Sequence, residues 1–339
     1  MEVPAGPPNS QEECHFLKIP PEIRTKIYRH LLHDFPNPSS DKKYGRDEAY
    51  ARPGYFSPRI TDISLLLVCR AIYIETWVLP FMYKAHTYWL CIKPLAPPAC
   101  VPADDLLRDS AAMANTARKI SRWQENNGWH IDKPGAVHVE NMQIFAQVHR
   151  LKEDKLATLF NTSVLRPREL TLTIRMDDWD IWAQELRLPG AWIEKVCKAL
   201  PDSVTRVNVE IEQEKKKSAS IDSMAKMIRE KWFFKTRSGT KLLASLSGPA
   251  GTEWHQPPLT DAEIAAIRSY VADDTEATTI LGWNKSFYVV SIPFAMKTQR
   301  ELEGGEVSEV AQRGARGDLG EDGWESLNLA LSNEPTQVP

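Results

Sequence analysis

The sequence predicts a protein of the α+β or α/β class, with a helical N-terminal module, an irregular α/β domain and a disordered C-terminal tail. In the opening segment, apolar residues recur every three or four positions, which is the spacing of an amphipathic helix. Between Glu169 and Phe234 the apolar period changes from two to about 3.6 and back, which is typical of alternating strands and helices. The expected divisions are a disordered start (1–14), a helical module (15–93) with an inserted loop (33–62), an α/β interaction domain (104–297) and a disordered tail (298–339).

The amino-acid composition limits the kinds of molecule that the protein is expected to bind. The 339 residues are 42% hydrophobic and 26% charged, and this length suggests about two domains. The net charge is −3, so no basic excess favours nucleic acid or an anionic membrane as a partner. No apolar run approaches the roughly 18 residues of a membrane span, and the N-terminus does not resemble a secretory signal. Five scattered cysteines, an odd number, indicate a reducing compartment, and we therefore expect a cytoplasmic or nuclear location.

The first predicted helix lies between Phe16 and Leu32. Two prolines at 20 and 21 open it, because the proline ring presets φ and the first-turn amide that it lacks would have no partner. Glu22 follows in the first turn, where the helix dipole favours a negative charge. One face carries apolar side chains at every fourth position and is expected to be buried: Ile23, Ile27 and Leu31.

A second apolar helix is predicted between Ile63 and Pro80. Its apolar residues recur at three- or four-residue spacing, at Leu65, Val68, Cys69, Ile72 and Leu79. We expect the two helices to pack together despite the inserted loop, because the entropic cost of closing a loop rises slowly with its length.

These residues resemble a known family. The order Ile19-Pro20-Pro21-Glu22-Ile23, followed by Leu67-Val68-Cys69-Arg70, resembles the F-box of a large group of fungal proteins over about the first quarter of the chain. The resemblance implies a helical module that docks on a Skp-type adaptor of a cullin ubiquitin ligase while the remaining chain holds a protein substrate. The positions that match the adaptor-facing and core pattern are Ile19, Pro20, Ile23, Ile27, Leu31, Val68, Cys69 and Arg70. A two-helix packing unit without an adaptor, in a scaffold protein outside any ligase, is the alternative.

Strands and helices alternate through the rest of the chain. Strands are predicted at 87–92, 170–176, 207–211 and 287–292, and a proline-rich linker at 93–103. Helices are predicted at 104–125, 138–160, 189–200, 221–232 and from Thr260 onward. The strand–helix–strand order at 170–211 favours two parallel neighbours joined by a right-handed crossover.

The strands at 170–176 and 207–211 alternate apolar and polar residues, which favours one buried and one open face of the sheet. Such a surface, in a leucine-rich-repeat-like arrangement, would serve as a platform for a protein substrate. An antiparallel sheet with helices on one side would give the same pattern. The candidate substrate-binding residues are Thr171, Thr173, Arg175, Arg206 and Asn208.

Enzyme signatures are scarce, so we expect a protein that is not an enzyme and that needs no cofactor or metal. Phosphate-binding loops, the dinucleotide fingerprint, His-Glu-x-x-His and Gly-x-Ser-x-Gly do not occur in the sequence. One acidic cluster, Asp177, Asp178 and Asp180, follows a predicted strand and provides the enzyme alternative, a divalent-metal site. A solvated acidic turn is the more favoured interpretation. Glu210, Glu212 and Glu214 are likewise interpreted as a strand end that runs into a solvated loop.

Overall fold

The computed structural model describes residues 14–39, 42–45, 48, 50–52, 55–91, 96–97, 106–131, 133–175, 186–255 and 286–331. Within these ranges the chain forms a mixed eight-stranded sheet with helices packed against it, and the predicted mixed α/β class is confirmed. The strands are β1 (Asp34–Pro36), β2 (Arg59–Thr61), β3 (Ala85–Leu90), β4 (Val137–Gln147), β5 (Leu165–Arg175), β6 (Leu186–Leu188), β7 (Arg206–Glu214), β8 (Phe233–Lys235), β9 (Lys241–Ala244), β10 (Thr252–His255), β11 (Ser286–Ala295) and β12 (Leu329–Leu331).

The described helices lie before, between and after these strands. They are α1 (His15–Lys18), α2 (Pro21–Leu31), α3 (Arg70–Thr76), α4 (Leu79–Tyr83), α5 (Leu106–Asn126), α6 (Val148–Lys152), α7 (Lys155–Thr162), α8 (Trp192–Ala199), α9 (Ser218–Lys231), α10 (Gln299–Glu303) and α11 (Glu309–Arg316). Short 3₁₀ turns occupy Ser64–Leu67, Lys215–Lys217 and Gly323–Leu327.

The strand order of the large sheet is β3-β4-β5-β7-β11-β9-β8, with β10 beside β11. Strands β3, β4, β5 and β7 are parallel neighbours, and β11 is antiparallel to both β7 and β9. The predicted parallel pairing of β5 with β7 across α8 is confirmed. The antiparallel strands depart from a leucine-rich-repeat-like stack, in which one unit repeats along the chain.

The two faces of the sheet differ in what covers them. On the face that we call the rear face, Leu170, Leu172 and Ile174 of β5 belong to the main apolar core together with Ile193 of α8 and Ile228 of α9. The alternate residues of the same strands lie on the front face. The side-chain period of two in a strand therefore separates an apolar rear from a polar front, as the alternation predicts.

Of the two predicted N-terminal helices, the first forms as predicted and the second does not. Helix α2 begins at Pro21, with Glu22 in its first turn. The single helix expected from Ile63 to Pro80 is broken, because Cys69 has an extended backbone (φ −159°, ψ 164°) between the 3₁₀ turn and α3. Pro80 lies in the first turn of α4 and does not end a helix.

The expected boundary near 93–103 does not separate two cores. Strand β3, which precedes the boundary, pairs in parallel with β4, which follows it. Tyr28 and Leu32 from the N-terminal helices are buried in the same core as the strands of the α/β domain. The N-terminal segment is thus part of the sheet's own packing, because β3 supplies an edge of the sheet.

The helix predicted at 138–160 was wrong in its first half, which forms β4. Both faces of this strand are covered: Met142 and Ile144 face the rear core, while Phe145 contacts aromatic rings on the front. A strand that is buried on both faces has apolar residues on both, so its sequence lacks the alternation of apolar and polar residues that marks a half-buried strand. The apolar spacing that remains matches a helix. The second half forms α6 and α7.

The tail predicted to be disordered from 298 is folded as far as residue 331. A capping box opens α10, since Thr298 accepts a hydrogen bond from the Glu301 amide and Glu301 accepts one from the Thr298 amide. The hydrogen bonds that the Glu301 carboxylate accepts from the Thr298 amide, the Thr298 hydroxyl and Lys297 lower the pKa of this carboxyl to about 2. Leu327 and Leu329 are buried, and the Trp232 indole donates to the Leu327 carbonyl at 2.8 Å. The segment completes the cover of the rear face.

Candidate functional sites

The N-terminal helices carry a set of exposed apolar side chains, which we call the exposed apolar set. Leu67 and Val68 are 72% and 65% exposed, the two highest values among the large apolar side chains of the described residues. The full set is Ile23 and Leu31 on α2, Ile63, Leu67 and Val68 around the 3₁₀ turn, and Ile74 on α3. These six residues lie on α2, on the 3₁₀ turn and the residues that flank it, and on α3.

An ion pair fixes the elements that carry this set. The Arg24 guanidinium donates to both carboxylate oxygens of Glu75, at 3.1 and 2.7 Å, and the Tyr28 hydroxyl donates to Glu75 at 2.7 Å. These bonds tie α2 to α3 through the side of α2 that carries Arg24 and Tyr28. The expectation that the Ile23 and Leu31 face would be buried was therefore wrong, since 44% and 51% of these side chains remain exposed.

The residues that match the adaptor pattern are largely accessible. Pro20, Ile23, Leu31 and Val68 are exposed, and Ile19, Ile27, Cys69 and Arg70 are half-buried. Leu67, Ile63 and Ile74 join them on the surface, although the adaptor prediction did not include them. Their exposure follows from the break at Cys69, which the helical spacing of the sequence does not reveal.

The described part of the inserted loop (33–62) lies against the front face of the sheet. Its ends pair as β1 and β2, and its aromatic residues pack on front-facing rings of β3 and β4. Tyr55 lies 5.4 Å from the Trp89 ring and 5.5 Å from the Phe145 ring, between ring centroids. Arg52 forms a buried ion pair with Glu212 of β7. The front face is therefore not an open platform, because the inserted loop covers part of it.

Beside the inserted loop, the front face keeps a cavity of about 360 Å³, which we call the front cavity. Its floor comes from five neighbouring strands, and its walls come from the inserted loop, from β10 and from the segment that leads into β10. The floor residues are Ala85, Thr87, Gln143, Phe145, Thr173, Glu210, Glu212, Val289 and Ser291, and the walls are Tyr55, Arg59, Pro249, Ala250, Thr252 and Trp254.

A hydrogen-bonded chain crosses the floor of the front cavity. Gln143 Nε2 donates to Thr173 Oγ1 at 2.8 Å, and the Thr173 hydroxyl donates to Glu210 Oε2 at 2.6 Å. Each group uses its ordinary donor or acceptor capacity, so the chain fixes the direction of the Glu210 carboxylate. Burial raises the pKa of this carboxyl, against the hydrogen bond from Thr173, and the smaller charge effects of Glu212, which raises it, and Arg52, which lowers it, oppose each other.

The predicted substrate-binding residues divide between two depressions of the front face. Thr173 lines the front cavity, whereas Thr171, Arg206 and Asn208 line an adjoining cavity of about 220 Å³. Ser291 borders both cavities and donates to Asn208 Oδ1 at 2.7 Å. Arg175 is buried and lines neither of them.

Sequence reasoning missed the acidic residues of the front cavity. Glu210 and Glu212 were expected to run into a solvated loop, yet Glu212 is only 2% exposed and Glu210 is half-buried. Their alternation with Val209 and Ile211 places them on the same face as Thr173, which is a signal that the sequence contains. The covering contact with Arg52 is 160 residues away in the chain and leaves no such signal.

The acidic cluster of Asp177, Asp178 and Asp180 lies outside the described residues, as do the predicted helix from Thr260 and most of the predicted linker. Among the residues that are described, no group of three or more His, Cys, Asp or Glu side chains is arranged to hold a metal ion. The same part of the chain contains no helix with the length and apolar character needed to cross a membrane.

In comparisons with known proteins, no protein-family model, curated protein or solved structure matches the chain.

Proposed function

We propose that this chain is a non-enzymatic interaction protein of F-box-like type, which docks on a Skp-type adaptor through its N-terminal helices. In this role it would be a substrate receptor of a cullin-type ubiquitin ligase, with the front face of the sheet turned toward a protein target. The observation that carries the proposal is the exposure of Leu67 and Val68 on the segment that resembles the F-box.

Energetics support docking at this surface. Full burial of an Ile, Leu or Val side chain contributes about 1.5–3 kcal/mol, and each member of the exposed apolar set still has between 42% and 72% of its surface accessible. Several such side chains buried together would supply the apolar centre that protein interfaces use. The Arg24–Glu75 ion pair holds α2 and α3 in place before docking, which reduces the entropy lost on binding.

The test is binding of the purified full chain to a purified Skp-type adaptor, measured by calorimetry. We expect Leu67→Asp with Val68→Asp, and separately Ile23→Asp with Leu31→Asp, to abolish binding, because each places two charges in an apolar interface. The matched control is Leu246→Asp with Met296→Asp, which changes two apolar side chains of similar exposure outside the N-terminal helices. This control should bind like the unchanged chain.

Two outcomes would overturn the proposal. If the unchanged chain shows no binding at adaptor concentrations of tens of micromolar, the chain is not an adaptor-docking receptor and the scaffold alternative replaces it. If the adaptor binds but both N-terminal variants bind as well as the control, docking occurs elsewhere. Circular dichroism of each variant shows whether the fold is retained.

A further inference from the structure

We propose that the front cavity is a binding site for a cationic group the size of an amino-acid side chain, an alkylammonium or a guanidinium, with Glu210 as its counter-ion. This site is separate from the exposed apolar set, because it lies on the sheet and not on the N-terminal helices. The cation can come from a free small molecule or from a Lys or Arg side chain of a bound protein.

Charge balance around the cavity leaves one carboxylate unmatched. Glu212 is paired with Arg52, and Arg59 donates to the carboxylate of Asp34 and, at 2.7 Å, to its carbonyl. Glu210 receives its hydrogen bond from Thr173 and forms no salt bridge with any described residue, although the charge of the nearby Arg52 also acts on it. Because Arg52 is paired with Glu212, the two carboxylates share one cation, and a bound cation would balance the second negative charge.

Aromatic rings complete a site for a cation. Tyr55 and Phe145 line the cavity beside Glu210, and Trp254 lies at its edge with 39% of its surface exposed. The guanidinium of Arg52 already lies 5.4 Å from the centre of the Phe145 ring, within the distance of a cation–π contact. Because the Phe145 ring is already engaged by Arg52 and by the stacked Trp89 ring, Trp254 is the lining ring most accessible to a ligand, and Glu210 supplies the carboxylate.

The volume and the charge of the lining favour a small cationic ligand. A volume of about 360 Å³ is at the low end of ligand pockets, which fits one side chain or a small metabolite. An anion would meet the Glu210 carboxylate, since Glu212 is paired with Arg52 and Arg59 with Asp34. A neutral sugar would find hydrogen-bonding groups at Gln143, Thr87 and Ser291, but it would leave the charge of Glu210 without a counter-ion.

The experiment is calorimetric titration of the full chain with defined probes at pH 7.5. The cationic probes are butylammonium, methylguanidinium and the capped peptides acetyl-Gly-Lys-Gly-amide and acetyl-Gly-Arg-Gly-amide. The neutral probes are acetyl-Gly-Gln-Gly-amide and glucose. We expect saturable binding of at least one cationic probe and none of the neutral ones. Stronger binding of the peptides than of the free cations would identify a protein side chain as the source, and the reverse would identify a small molecule.

Glu210→Gln should lower the association constant of the best cationic probe at least tenfold, because the amide keeps the shape of the carboxylate and its hydrogen bond from Thr173 but not its charge. Glu194→Gln, on α8 behind the sheet, is the matched control and should leave binding unchanged. If Glu210→Gln does not fold, Trp254→Ala at the exposed edge provides the second test and should weaken binding at least threefold.

The proposal is overturned if no cationic probe binds saturably, if glucose binds while the cations do not, or if the folded Glu210→Gln variant binds cations as tightly as the control. Adaptor docking is expected to be unchanged in Glu210→Gln. Failure of the cation site and failure of the adaptor proposal are therefore distinguishable.

Discussion

The rear and front faces of the sheet are covered by different means. On the rear face, helices that directly precede or follow the strands pack on Val207, Val209 and Ile211, and these side chains are fully buried. On the front face, the cover comes from a distant inserted loop that is held by one buried ion pair and a few aromatic contacts. Helices that neighbour the strands in sequence cover the rear face completely and form a close-packed core. The inserted loop covers the front face only in part and leaves a cavity with polar groups inside it.

The largest expected effect tests whether the C-terminal segment is part of the rear cover. Leu327→Ala with Leu329→Ala should lower the free energy of unfolding by about 5 kcal/mol or more, because each removes a buried leucine side chain at a cost of roughly 2–5 kcal/mol. Denaturant unfolding followed by circular dichroism measures it. Val310→Ala, on the exposed side of α11, should change stability by about 0.5 kcal/mol or less. Equal and small effects of both changes would mean that this segment does not cover the rear face.

A second substitution tests whether the Arg52–Glu212 ion pair anchors the inserted loop to the front face of the sheet. Arg52→Leu should lower the free energy of unfolding by about 3–5 kcal/mol, because it leaves Glu212 buried without its partner. Adding Glu212→Gln to it should restore most of that loss, since the double variant no longer buries a lone charge. Lys198→Leu, which breaks an exposed pair on α8, should cost about 0.5 kcal/mol or less. An Arg52 variant as stable as the Lys198 variant would show that the inserted loop is not anchored by this pair.

A third test uses pH to probe the rear face, where His86 of β3 is buried. Burial, and then the nearby charge of Lys84, lowers the pKa of His86 to about 4, while in the unfolded chain it titrates near 6.5. As the pH falls, His86 therefore binds a proton in the unfolded chain before it does so in the folded chain. The contribution of neutral His86 to folding stability is complete above about pH 6.5 and is lost as the pH falls toward 4. The loss is about 2 kcal/mol by pH 5 and about 3 kcal/mol in full.

Denaturant unfolding at pH 7.5 and pH 5.0 measures this dependence. His86→Gln should reduce the difference in unfolding free energy between the two pH values by about 2 kcal/mol. His130→Gln, at an exposed position, is the control and should keep the difference of the unchanged chain. If both variants behave alike, burial of His86 does not link folding to pH.

The rear face was largely predictable from the sequence, and the exceptions have physical causes. The units β5, α8, β7 and α9 place most of their apolar side chains on one side, so their apolar periods are clear. Strand β4 buries both sides, which disguises it as a helix. The folded tail was missed although Thr298 and Glu301 form a readable capping box, because its many charged residues suggested disorder.

The front cavity was predictable only in part. Thr173 and Asn208 follow from strand alternation, which places polar side chains on the face opposite the core. Arg52 and Tyr55 lie in a polar, proline-containing loop whose composition predicts solvent exposure, and only the folded chain shows that they cross to the sheet. Contacts between positions so far apart in the chain are set by the completed packing and leave no periodic trace in the sequence.

The path of the inserted loop has a practical consequence for anyone who divides this protein into pieces. A fragment that begins at residue 104 would lose the edge strand β3 together with Tyr55, Arg59 and Arg52, and so one wall of the front cavity and the partner of Glu212. The exposed edge of β4 would then be free to pair with other molecules. Ligand screens, antibodies and crystals made from such a fragment would report on a different surface from the one the whole molecule presents.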